Sequence, residues 1–125
     1  MTAKTTDLAR LQEIHDVIIQ TKAQIQAIGF TKQAFLNPQT DAQDLIAEGL
    51  MNRVFRVCEE AGKLSDALAT QYGFERRAAS GVRNRLAHAY GEVNKEIIWD
   101  VIENDFDALL DSCQQYADDI GVDFE

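Results

Sequence analysis

An all-α fold, an up-and-down four-helix bundle with room for an extra short helix, is predicted for this 125-residue chain by three observations. Apolar residues recur at alternating spacings of three and four along most of the chain. Capping residues and glycines stand at the ends of those stripes. No stretch alternates Val or Ile with polar residues beside hairpin turns, as a strand would. With 46% hydrophobic and 26% charged residues, one proline and seven glycines, the composition is that of one ordinary domain over residues 1–125. At this size about two-thirds of the unfolded surface can be buried on folding, so neither a disulfide nor a structural metal is required.

The first helix is carried by Leu11, Ile14, Ile18, Thr21, Ile25 and Ile28, with Gly29 as its stop. After Pro38, Thr40-Asp41-Ala42-Gln43 has the form of a capping box, and Leu50, Val54, Val57, Ala61, Leu64 and Leu68 continue one seam up to Gly73. Two long helices joined by a short link pack antiparallel. A third helix is expected from about Phe74 to Tyr90, closing at Gly91. Asn94 caps a fourth, whose apolar face is Ile98, Ile102, Phe106, Leu109, Cys113 and Tyr116. Gly81, inside the third helix, reads equally as a close helix contact or, with Gly91, as the bracket of a functional stretch. There is no internal repeat, linker or low-complexity tract.

Charge narrows the function. A net charge of −9 opposes a duplex-coating protein, because neutralising many phosphates needs a basic face. The distribution is uneven: ten acidic and no basic residues follow Lys95, whereas residues 1–95 carry twelve basic and eleven acidic. Between Arg76 and Arg85 stand four arginines and no acid. One local cationic patch in a weak field suits a protein that handles a single phosphate at a site. Cys58 and Cys113 form no C-x-x-C pair, which argues against a zinc ribbon, a redox motif or a secreted disulfide framework. The first residues lack an apolar signal stretch and no segment approaches the ~20 apolar residues of a membrane span, so a soluble, cytoplasmic protein without a membrane partner is expected.

The segment Arg83-Asn84-Arg85-Leu86-Ala87-His88-Ala89-Tyr90 carries the chemistry. At 100° per residue Asn84 and His88 lie about 40° apart, and Arg83 about 140° from His88, so a bend or an end of the helix brings all three to one groove. No acid on the same helix suits pairing with Arg83, Glu75 and Glu92 being the nearest. No cluster of carboxylates, histidines or thiolates is suited to a metal, and no cofactor is implied.

The string from Gly81-Val82-Arg83-Asn84 through Leu86-Ala87-His88-Ala89-Tyr90, followed by a capped helix with Trp99 and Leu109, resembles the Arg-x4-His-x-Tyr signature of HepT-type toxins in the HEPN (higher eukaryotes and prokaryotes nucleotide-binding) superfamily. Cys58-Glu59-Glu60-Ala61-Gly62-Lys63-Leu64-Ser65 is similar to that family's Gly-Glu-Ala segment, with Glu59 where the family usually has glycine. The resemblance spans roughly residues 20 to 110. It implies a HEPN-like bundle and a metal-independent endoribonuclease that is toxic unless restrained by a minimal nucleotidyltransferase antitoxin.

The residues suit that chemistry. Cleaving RNA without a metal requires a proton taken from a 2′-hydroxyl, a stabilised phosphorane and a proton given to the leaving 5′-oxygen. A histidine, with an ordinary pKa near 6.5, can make either transfer, which is the role of His88; Arg83 can donate paired hydrogen bonds to phosphate. Asn84 either orients the imidazole or phosphate, or bonds the backbone at a bend. One histidine in the motif of each chain calls for a second copy, and a two-fold homodimer, as the family forms, supplies it. Tyr90, about 200° from His88 on an ideal helix, is either an aromatic packed at the helix end or, by the resemblance, the acceptor for adenylylation by the antitoxin.

Other conspicuous residues read as structural. His15 has no constellation around it, Glu60 suits a pair with an arginine across the bundle, and Cys58 and Cys113 read as small buried hydrophobes. Trp99 is a packing anchor, and the acidic fourth helix is a solvated face or a surface for a basic partner. Against the ribonuclease stands a non-catalytic helical module that binds a nucleotide or a nucleotidyltransferase through Arg83, and beyond it a plain dimeric bundle.

Overall fold

The structure, a computed structural model, describes the backbone of residues 3–88 and 94–124 and, within them, the side chains other than those of residues 3–5, 76, 77, 85, 87 and 88. Its elements in order are α1 (Ala3–Ile28), α2 (Lys32–Leu36), α3 (Asp41–Gly62), α4 (Asp66–Tyr72), α5 (Arg76–His88), α6 (Lys95–Asp100), a π-helical turn (Val101–Asp105) and α7 (Phe106–Ile120). The expected all-α bundle is present, and α2 is the extra short helix. Paired residues give its directions. Going up α1, Arg10, Glu13 and Thr21 meet Glu60, Arg56 and Arg53 going down α3, so the two helices are antiparallel. Leu11 and Lys22 meet Cys113 and Asp107 in the same reversed order, which sets α7 antiparallel to α1.

The stripes predicted from spacing face one buried cluster. Leu11, Ile14, Ile18 and Thr21 of α1 are fully buried, and all six seam residues of the second stripe are buried with them. Full burial of one such side chain contributes about 1.5–3 kcal/mol, against about 0–1 for an exposed ion pair, so the apolar register fixes how the helices meet. Thr21, polar but buried, donates its hydroxyl to Val17 O at 2.6 Å and accepts from Arg53 at 3.0 Å. The stripe leaves the core before α1 ends: Ile28 is 58% exposed. Phe35 of α2 is buried instead, packed 5.5 Å from the ring of Trp99, which is the anchor expected of that tryptophan. Gly29 (φ 66°) and Gly73 (φ 77°) end α1 and α4 in the left-handed conformation that glycine adopts without Cβ strain.

Two departures from the expected helices have local causes. The long seam is not one helix, because Ser65 caps a new one: its hydroxyl accepts from Leu68 N, while its own N–H and O–H donate to the buried Asp7 of α1 at 3.0 and 2.5 Å. Asp7 thus satisfies the groups that the break exposes, and the seam continues in α4 with Leu68 still buried. The second departure is the π turn. Ile98, Ile102 and Phe106 are separated by two successive steps of four, which on an ideal α-helix would carry Phe106 about 80° off the seam. The wider turn, closed by Phe106 N–H bonding back to Val101 O, returns Phe106 to full burial.

Candidate functional site

The site begins where α3 and α5 come closest. A Cβ on Gly62 would lie 2.6 Å from Ser80 Oγ, so only glycine fits beside α5 there without displacing that side chain. Gly81, by contrast, has no atom of the described residues within 4 Å of where its Cβ would stand, so the close contact that was one of its two readings is found at Gly62. Because the two helices run in opposite directions, three residues back along α3 and three forward along α5 place Glu59 opposite Arg83.

There the guanidinium of Arg83 is surrounded on three sides. Nη1 donates to Asn84 Oδ1 at 3.2 Å, Nη2 lies 3.5 Å from Glu59 Oε1, and the carbon of the group sits 5.4 Å from the ring centroid of Phe55. The ring supplies a cation–π contact and a flat floor. The arginine side chain is 34% exposed, so it is not sealed in the core. The same oxygen of Glu59 faces Lys63 Nζ at 3.6 Å, one turn along α3.

Of the residues expected to act together, Arg83 and Asn84 are in contact. Helix α5 runs through His88, one turn beyond Asn84; the side chain of His88 lies outside the described residues, as does the whole of Tyr90 with Gly91. Arg83 does have an acidic partner, contrary to what spacing along its own helix suggested. Glu59 lies on the neighbouring helix, where i,i+4 reasoning does not reach; the signal that points to it is the antiparallel register set by Gly62 and Ser80. Phe55 was likewise silent in the sequence.

Around this centre the other charges are held. Glu60, next to Glu59, takes Arg10 of α1 at 2.9 Å, the cross-bundle pair expected of it, and Arg56 takes Glu13 at 2.6 Å. These four and Glu59 line an open groove of about 490 Å³ between α1 and α3. Between α3, α5, the π turn and α7 a smaller cavity of about 230 Å³ is lined by Val57, Cys58, Ala79, Val82 and Asp105 among others. Burial pushes the Cys58 thiol up to about 12, with the Asp105 charge adding to it, and burial does the same to Cys113. Both are free, buried cysteines that behave as small hydrophobes. His15 packs on Phe124 at 5.3 Å and meets Asp16 at 3.1 Å, a structural setting. Among the described residues no group of three or more His, Cys, Asp and Glu could hold a metal ion, and no helix is long and apolar enough to cross a membrane.

The family model described as Ribonuclease HepT-like matches residues 10–116. No curated protein and no solved structure matches the chain.

Proposed function

The chain belongs to the HepT-like ribonuclease family, and from that premise we propose that it is a metal-independent endoribonuclease, the toxin of a type II toxin–antitoxin pair acting in the cytoplasm. The observation that carries this reading is the guanidinium of Arg83, propped on Phe55 beside Asn84 in a side chain that is 34% exposed, on the helix that bears His88 one turn further on. In the proposed reaction His88 of one protomer takes the proton of a 2′-hydroxyl and the freed oxygen attacks phosphorus. The bond to the 5′-oxygen breaks, and His88 of the second protomer returns a proton to that oxygen. Arg83 offers two N–H groups to the phosphorane as its charge grows. The products are a 2′,3′-cyclic phosphate and a 5′-hydroxyl. Two histidines in one cleft make the working unit a homodimer, which light scattering at micromolar concentration tests.

Restraint falls to a minimal nucleotidyltransferase. Its proposed reaction joins the Tyr90 phenol oxygen to the α-phosphorus of ATP with release of pyrophosphate, placing AMP and about one negative charge at the end of the motif, where it competes for Arg83. Intact-mass measurement after co-expression would show the AMP increment on Tyr90; neutralisation of Tyr90→Phe without an increment would show inhibition by binding alone. The activity itself is tested on single-stranded RNA with the purified chain, freed of any partner, in excess chelator. Cleavage leaving 2′,3′-cyclic phosphate ends is expected. Cleavage abolished by the chelator, or ends with free 3′-hydroxyls, would overturn the proposal.

A further inference from the structure

Glu59 turns a single oxygen toward two cations. Oε1 is 3.5 Å from Arg83 Nη2 and 3.6 Å from Lys63 Nζ, and the side chain is 29% exposed. Both separations exceed the roughly 2.7–2.9 Å of a strong charge-assisted hydrogen bond, so neither cation is gripped. Arg83 keeps its place without that carboxylate, because the ring of Phe55 and the amide oxygen of Asn84 support the guanidinium from other sides. Lys63 in turn gives Glu59 a cation to keep whenever Arg83 engages another anion, so the exchange strands no charge.

From this juxtaposition we propose that Glu59 is a positioning residue that sets affinity for RNA: an internal carboxylate that occupies Arg83 until a phosphate of the substrate replaces it. The proposal rests on the reading of Arg83 as a phosphate ligand. A carboxylate and a phosphodiester compete for the same N–H groups, and a phosphate seated on Arg83 also lies beside the negative charge of Glu59. Wild-type binding is therefore held below what the arginine alone would give, and RNA that presents its phosphate squarely to Arg83 is favoured over weaker anions.

The test uses the full chain and a 2′-O-methyl RNA oligonucleotide, which has no free 2′-hydroxyl to attack, with binding followed by fluorescence anisotropy. Glu59→Gln keeps the shape and removes the charge; it should tighten binding about two- to fivefold at low salt, with the gain shrinking as salt is raised. On cleavable RNA the same change should lower KM more than it alters kcat. Glu59→Ala should act in the same direction, which separates loss of charge from any effect peculiar to glutamine. In an Arg83→Met background, Glu59→Gln should change affinity by less than about twofold, since the group it competes for is gone. Unchanged or weaker binding in Glu59→Gln, or a gain that persists without Arg83, overturns the inference while the phosphate role of Arg83 stands, provided that Arg83→Met alone weakens binding. Wild-type binding by Arg83→Met overturns both.

Discussion

Glu59 and Glu60 are neighbours on α3, yet Glu60 holds Arg10 of α1 at 2.9 Å with the two side chains only 25% and 26% exposed, while Glu59 meets Arg83 of α5 at 3.5 Å and shares itself with Lys63. The first pair closes a register that the apolar stripes of α1 and α3 already impose. The second is long and shared. One hundred degrees of helix turn separates the two carboxylates, so the same residue type faces a structural seam on one side and the arginine of the candidate site on the other. An arginine gripped at short range by a carboxylate has little left to offer a substrate, whereas one resting on an aromatic ring with a loose partner does.

Breaking each pair should therefore produce different losses. The largest effect is expected from Arg83→Ala, which should slow RNA cleavage by about 10²-fold, as when a donor to developing negative charge is removed. Its melting temperature should stay within about 2 °C of wild type, because a long ion pair whose side chains are still about a third exposed contributes little to stability; calorimetry beside the kinetic assay checks both. Gly62→Val drives two methyl groups toward Ser80, 2.6 Å from even the first carbon of a side chain. Chemical denaturation should show a loss of about 1–3 kcal/mol, and cleavage should fall as well, because α5 carries Arg83 away from Phe55. Arg10→Ala should invert the Arg83 result: about 1 kcal/mol of stability lost, because Glu60 is left without its cation, and cleavage retained below the melting temperature.

The last prediction concerns neither arginine but the two buried cysteines, one of which, Cys58, lines the smaller cavity. Burial raises the Cys58 thiol from 9.0 to about 12, so it stays protonated in the folded chain over a range in which it ionises in the unfolded one. Cys113 behaves alike. The unfolded state then binds fewer protons, so this contribution to stability is present in full below pH 9 and is lost between about 9 and 12 as pH rises. At pH 8 neither thiol should react with iodoacetamide until the protein is unfolded, and the denaturation midpoint should fall on going from pH 8 to pH 10.

Much of this architecture is legible in the residues because it is local. Spacings of three and four name the buried faces, and Thr40, Asn94, Gly29 and Gly73 stand where helices begin and end. What is not legible depends on groups distant in sequence. Ser65 breaks the seam because Asp7, 58 residues earlier, receives its N–H and hydroxyl. The π turn answers a mismatch of register that becomes visible only when both ends of the helix have partners. The site divides in the same way. Arg83, Asn84 and His88 are named as candidates by spacing on one helix, whereas Phe55 and Glu59 reach Arg83 only because Gly62 lets α3 and α5 approach in one register.

The account stands most directly on His88, the residue in α5 to which the proton transfers are assigned. Cleavage of a defined single-stranded RNA by His88→Ala, measured in excess chelator beside the wild-type chain, is predicted to be slower by a factor of roughly 10² or more, with the melting temperature unchanged. Cleavage at the wild-type rate by that variant would contradict it.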